Sequence, residues 1–317
     1  MSKPESRRLP FLRIAAFLGL ALISLINGCL PAGTDPLTTP GNPPPPSLPV
    51  STFTTQPSTP TASSSQTPGI PVSPAGYGLF TVVGLEPLAT LPIYQEPSLS
   101  AVVRGQIPFA GKSLLSDGTP IEADGTTWLQ IDYQGITGWV EQFYLAEQRG
   151  DLPHELVALA HTAAAALKDT DYSRLGKMVH PDLCLRFSPY PYLRESDLVF
   201  CPSSLPELLA SNDVYIWGTF DGSGEPIELS FGDYHQRFVY DQDFFQPGVI
   251  GLNQEVGLGN ALNNIPDRYP DGKIVEYHFP GFDPQYGGMD WRSLRLVFIQ
   301  EQGTWYLVAL VHGEWTI

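Results

Sequence analysis

Basic side chains are scarce in this chain, with 17 Lys and Arg against 33 Asp and Glu. Binding to nucleic acid rests on a basic footprint that neutralises phosphates, so that class of partner is excluded. The same deficit argues against a face that lies flat on anionic lipid. Long apolar runs are also lacking. Residues 14–26 form a run of 13, interrupted by Gly19 and Ser24. As a helix this run spans about 20 Å, short of the roughly 30 Å hydrocarbon core of a bilayer. Nor is there a nucleophile elbow, a zinc-protease helix, a phosphate-binding glycine loop or a serine–lysine pair. Zinc needs three or four converging ligands. No catalytic residue, metal or cofactor is therefore assigned.

What stands first is an address. Lys3, Arg7, Arg8 and Arg13 precede the apolar run. A basic start and a short apolar stretch predict a cleaved secretory signal over residues 1–28, in preference to a permanent transmembrane anchor. Removing it takes four basic side chains and one acidic one, leaving 13 basic against 32 acidic. Leu25-Ile26-Asn27-Gly28-Cys29 resembles the lipobox of bacterial lipoproteins, whose Cys is diacylated and becomes the first residue. That resemblance implies export and a palmitate-type lipid anchor on Cys29. It places the protein on the outer face of the cytoplasmic membrane or in the outer membrane. Ordinary signal cleavage beside an incidental Cys is the alternative. Residues 30–76 hold 13 Pro and 16 Ser or Thr in 47 residues. So little apolar surface cannot offset ordering entropy, which makes residues 29–76 a disordered spacer behind the lipidated Cys.

With Cys29 lipidated, Cys184 and Cys201 remain as a pair in an oxidising compartment. Both flank short strand-like runs around Ser188-Pro189-Tyr190-Pro191, and a hairpin there would bring them opposite each other. A structural disulfide is expected, with two buried free thiols as the alternative.

Residues 77–148 carry short β-rich runs without helical periodicity, which predicts a small barrel. In the run from Trp128 to Leu145, Gln134-Gly135 marks a hairpin turn and Gly138-Trp139-Val140 closes the sheet. This resembles the bacterial Src-homology-3 domain. The resemblance implies an SH3-like barrel that attaches to peptidoglycan or peptide, with Tyr94 and Tyr144 as candidates for an exposed aromatic groove.

Residues 151–317 open on helices: Pro153 at a helix start, then Leu156, Leu159, Ala160, Ala163 and Leu167 at helical spacing. Asp171 starts a second helix, and Ser204-x-x-Glu207 and Ser230-x-x-Asp233 have capping spacing. Strands follow, ending in a hairpin turned by Glu301-Gln302-Gly303 with both faces apolar. Helices first and then a long Leu-Val-Phe…Gly-x-Trp-Tyr-Leu-Val hairpin resemble the nuclear transport factor 2-like cone. Segments such as that from Trp217 to Glu225 also resemble a family of uncharacterised bacterial lipoproteins. The expected architecture is thus multidomain: a small all-β SH3-like barrel, then an α+β domain with helices packed on a curved antiparallel sheet in a cystatin-like cone.

Alternation puts Glu276 and His278 on one face of their strand. Pairing across the final hairpin brings Arg292 near His312 and Glu314. If the strands are neighbours, these five form a polar pocket for an anionic or zwitterionic ligand, or a His–carboxylate base. The plain alternative is rim groups that satisfy one another. Asp221-Gly-Ser-Gly-Glu225 has oxygens at calcium-loop spacing but reads better as a Gly-rich turn, since Pro226 and Gly232 fill slots that Gly and Glu should occupy. The function expected is a non-catalytic envelope lipoprotein that binds a small ligand or a protein. A hydrolase or isomerase using His278 or His312 as general base is the alternative.

Overall fold

The computed structural model describes residues 76–316, all within the compact unit Ser64–Ile317. The signal, the lipobox with Cys29 and the Pro-rich segment as far as residue 75 lie outside the described residues. None of the described helices is long and apolar enough to cross a membrane.

Short strands dominate the first half: β1 (Gly78–Val82), β2 (Thr90–Tyr94), β3 (Val103–Pro108), β4 (Leu114–Ser116), β5 (Pro120–Ala123), β6 (Thr126–Tyr133), β7 (Ile136–Glu141) and β8 (Leu145–Gly150). The expected β6–β7 hairpin forms around Gln134 and Gly135, both at positive φ (54° and 82°). That geometry suits the right-handed twist of the paired strands. Leu129, Ile131 and Val140 turn inward and join Val82, Leu91, Ile93, Ile107 and Leu114 in one apolar core.

Helix α1 (His154–Lys168) follows and is the one long helix among the described residues. It buries Leu156, Val157, Ala160, Ala163, Ala164 and Leu167. Helix α2 (Tyr172–Gly176) is capped by Asp171, whose side chain accepts from the Arg174 N–H at 2.8 Å. Strands β9 (Leu185–Ser188) and β10 (Val199–Phe200) pair antiparallel, and the expected Cys184–Cys201 disulfide ties their ends. The Ser204 capping box does not form, because the Ser204 hydroxyl donates to the Cys201 carbonyl instead. Strands β11 (Val214–Thr219) and β12 (Pro226–Ser230) make a separate hairpin, with Asp221 to Glu225 in its turn. Ser230 caps α3 (Phe231–Tyr234) by accepting from the Asp233 N–H. Then come β13 (Val249–Leu252), α4 (Ile265–Arg268), β14 (Lys273–Phe279), β15 (Arg292–Glu301) and β16 (Thr304–Glu314).

A barrel followed by a cone is not the arrangement of these elements. Fourteen strands form one mixed sheet in the order β10-β9-β16-β15-β14-β13-β8-β1-β4-β6-β7-β2-β3, with β5 beside β6. The order ends at β3 without returning to β1, so no barrel closes. β8 pairs antiparallel with β1 on one side and parallel with β13 on the other. A second parallel pair, β9 with β16, rules out a purely antiparallel sheet. The physical reason lies in the backbone. An unpaired edge at β8 would leave a row of N–H and C=O groups open, and β13 fills it. His161 of α1 fastens the same junction, with Nε2 donating to the Val82 carbonyl and Nδ1 accepting from the Tyr277 hydroxyl, each at 2.9 Å.

The three-strand block β14–β15–β16 is buried on both faces, as a doubly apolar hairpin requires. Tyr277, Leu294, Leu296, Phe298, Leu307 and Leu310 belong to the large core with α1 and the ring cluster of Trp217, Phe231, Tyr234 and Phe238. Val297, Ala309 and Val311 face the other way, against Leu193 and Ile265. This second face carries the candidate site.

Candidate functional site

Register decides which polar residues meet. Glu276 lies opposite Arg295 and His278 opposite Ser293, which is itself opposite Gly313. Directly opposed residues share a face, so Glu276, His278, Ser293 and Arg295 stand on the side of Val297 and Val311. His312 lies opposite Leu294, and Glu314 opposite Arg292, on the side of Tyr277. The five residues expected as one cluster are therefore split by the sheet into two groups, and His278 and His312 cannot line a common pocket.

The group beside α3 is an ion network, in which buried Asp241 Oδ1 and His312 Nδ1 have no hydrogen-bond partner among the described residues. Arg292 reaches Asp241 at 3.1 Å and Glu314 at 3.4 Å, Arg237 reaches Glu314 at 2.6 Å, and His312 Nε2 sits 3.3 Å from Asp241. Burial pushes the Asp241 carboxyl up. The hydrogen bond and charge of His312, with Arg292 and Arg237, outweigh it and hold the group below the usual carboxylate range. This network pins residues 237–241 to the end of the sheet. His312 is fully buried, so a substrate proton cannot come within the reach that a general base needs.

The group on the opposite face is built around one carboxylate. Glu276 is 0% exposed and accepts from the N–H groups of Val256 (2.8 Å) and Gly257 (2.9 Å), from the Ser293 hydroxyl (2.6 Å) and from Arg295 Nη2 (3.2 Å). A buried ion is tolerated when its lone pairs are filled in this way. With the Ser293 proton on Glu276, His278 Nδ1 donates to Ser293 Oγ at 2.8 Å. Burial lowers the pKa of His278 below the ordinary histidine value, with the Glu276 charge pulling against it. Ser293 is no activated nucleophile, because its proton goes to a carboxylate that three other donors already stabilise.

Arg295 is 1% exposed and only partly used. Nη2 donates to the Gly257 carbonyl at 2.6 Å and contacts Glu276 and Glu255, each at 3.2 Å. Nε and Nη1 have no hydrogen-bond partner among the described residues. Arg295 and Glu276 line a cavity of about 300 Å³, with Glu255, Asn263, Tyr269 and Lys273 among its walls. Asn263 holds Glu255 by an Nδ2 donation of 3.1 Å. Asn264 fixes the wall to the body by bonding both the N–H and the C=O of Leu193. Gly257 lies against the core of the site, where a Cβ would come 2.6 Å from Ser293 Oγ and 3.0 Å from Glu276. His278 does not line this cavity.

Arg295, Ser293, Glu255, Lys273 and Asp241 were not among the expected site residues. One signal for Arg295 was present: a charge inside the apolar run from Leu294 to Ile299, on the face of Val297 and Ile299. Tyr94 and Tyr144, the candidates for an aromatic groove, lie in the first half of the sheet. Tyr94 and Tyr144 are both half-buried, Tyr94 edge-on to Trp128 at 5.6 Å and Tyr144 packed against the first core. Trp128 is fully buried and Trp139 half-buried. No group of three or more His, Cys, Asp or Glu side chains among the described residues converges as a metal site would.

Neither a family model nor a curated protein matches the chain. Among solved structures, one from Xanthomonas campestris, described as a calcium/calmodulin dependent protein kinase II association domain, overlaps 54% of this chain and 94% of its own. The identity is 14% and the TM-score 0.22, a likeness too slight to carry an argument about fold or activity.

Proposed function

We propose that this protein is an exported, lipid-anchored, non-catalytic binding protein, which holds a small polar molecule in the cavity over β14 and β15. The anchor rests on the basic start, the short apolar run and the lipobox-like sequence ending at Cys29. The binding role rests on one observation: charged side chains of both signs, Glu255, Glu276, Lys273 and Arg295, line a cavity of about 300 Å³. The volume lies at the small end of ligand sites, roughly 300–1,000 Å³. It suits a small molecule and not a folded partner. A hydrolase or isomerase reading loses its residues, since His278 and His312 stand on opposite faces and neither lines the cavity.

The test is extraction of the full chain from its native membrane in mild detergent, followed by mass spectrometry of the small molecules released on denaturation. A defined compound should accompany the wild type and be absent from Ile274→Trp, which fills the cavity from its sheet side. The same small molecules in both samples, or none in either, would overturn the binding role.

A further inference from the structure

The cavity does not end at Tyr269. Tyr269, Pro270 and Lys273 also line an adjoining groove of about 450 Å³, whose other walls include Ile299, Gln300 and Trp305. Arg295 borders the cavity and Ile299 the groove, four residues on along one face of β15, which is about 13 Å of strand. Each space has an aromatic side chain in its wall: half-buried Tyr269 stands in both, and half-buried Trp305 in the groove. The accessible hydrogen-bonding groups here are unspent. Asn253 and Gln254 are exposed, and their side-chain amides have no partner among the described residues. The same holds for the Tyr269 hydroxyl, the Lys273 ammonium and Glu255 Oε2, since both contacts of Glu255 fall on Oε1. Arg295 and Glu276 take no part. The free guanidinium nitrogens are enclosed, and four donors occupy the carboxylate.

We infer that cavity and groove together take a neutral oligosaccharide, with one pyranose ring against Tyr269 and a linked ring against Trp305. This rests on the binding role proposed above. A sugar ring has apolar C–H faces and a rim of hydroxyls, each able to donate and to accept. Side-chain amides likewise offer a donor and an acceptor, and aromatic rings offer a flat apolar face with a polar handle on Tyr and Trp. The accessible charges select against ions. Glu255 and Lys273 in the cavity are one of each sign, as are Asp271 and Lys273 in the groove, where Arg268 is already held by Glu195. A simple anion or cation would therefore meet its own sign in a small space. An extended peptide gains its affinity by adding to a strand edge. No edge is open here, because β14 lies between β13 and β15, and β15 between β14 and β16.

Calorimetric titration of the full chain tests this, in a polyoxyethylene detergent that carries no sugar headgroup. The probes are cellotetraose, maltotetraose and chitotetraose, with glucose and N-acetylglucosamine as single rings. At least one tetrasaccharide should bind, about tenfold or more tighter than its single sugar, roughly 1.4 kcal/mol, because only the chain reaches Trp305. Tyr269→Leu keeps apolar bulk and removes the ring face, and should weaken the tetrasaccharide about tenfold. Gln254→Ala, at an exposed position outside the core, should weaken it about threefold, as loss of one hydrogen bond does. Trp305→Leu should bring the tetrasaccharide down to the affinity of the single sugar and leave the single sugar unchanged. No binding by any tetrasaccharide, equal affinity for chain and single ring, or wild-type affinity in any of the three variants would each overturn the inference. A compound that co-purifies with the wild type and not with Ile274→Trp, alongside a silent panel, would leave the binding role standing and remove only the ligand class. Tetrasaccharide binding that survives Ile274→Trp would remove both.

Discussion

Glu276 holds four donors at once, and its removal shows what one buried carboxylate contributes. Glu276→Ala would leave Arg295 charged, 1% exposed and short of its strand-opposite partner, with the Val256 and Gly257 amides also unmet. Breaking a buried pair from one side costs about 3–5 kcal/mol. Urea unfolding should show a loss of that size, and a loss under about 1 kcal/mol would contradict the assigned geometry. Two other buried residues set the pH dependence. Burial lowers His161 and His235 to about 4. Both are neutral in the fold, His161 against Val82 and Tyr277 and His235 against the Tyr172 hydroxyl at 2.8 Å. In the unfolded chain a histidine titrates near 6.5, so between roughly pH 6.5 and 4 the unfolded state binds more protons. Stability is then full above that window and falls as pH drops through it, by about 1.4 kcal/mol per pH unit for each histidine. The melting temperature should be level above about pH 7 and fall steeply below about pH 6. A flat profile down to about pH 5 would contradict the buried, neutral assignment.

The joint between β8 and β13 is the element on which the fold turns. Gly150 lies opposite Leu252 with φ at 76°, and a Cβ there would come 2.2 Å from the Leu252 carbonyl oxygen. Gly150→Ala therefore carries both left-handed strain and a backbone clash. Gly303→Ala, at φ 83° with open space around it, carries the strain alone. Strain of that kind costs roughly 1–2 kcal/mol. Gly150→Ala should therefore melt clearly below Gly303→Ala, and equal melting temperatures would argue against the parallel β8–β13 pair. The same joint marks where the sequence stopped being legible. Local signals were sound: Gln134-Gly135 and Gln302-Gly303 turn their hairpins, Asp171 and Ser230 cap their helices, and Cys184 meets Cys201. Each depends on neighbours within about twenty residues. β8 finds β13 about a hundred residues away through backbone groups that every residue has. No side-chain pattern announces that pairing, so one mixed sheet was read as a barrel and a cone. The site was legible to the same extent. Arg292 beside Glu314 follows from the last hairpin, whereas the β14–β15 register sets Glu276 on Arg295 and leaves His312 on the far face. Ser204 is a smaller case, since its hydroxyl went to the Cys201 carbonyl beside the disulfide.

For the whole molecule, the proposed lipid tether and the proposed binding cavity make separate demands. Without the Cys29 thiol no diacylglycerol can attach, so Cys29→Ser should leave the membrane fraction. Unchanged fractionation and mass would remove the lipid anchor and leave the cavity untouched. The cavity is bordered by Arg295, a guanidinium that folding has buried with two of its nitrogens unpartnered. Burial on those terms is unfavourable for a protein with only about 5–15 kcal/mol of net stability. The most direct measurement is the ¹H–¹⁵N resonance of the Arg295 Nε–H in arginine-labelled full-length protein, titrated with the dialysable fraction of the host envelope. That resonance should move to a new position at saturation as the cavity beside Arg295 fills. A resonance that stays in place throughout the titration would contradict a ligand in this cavity.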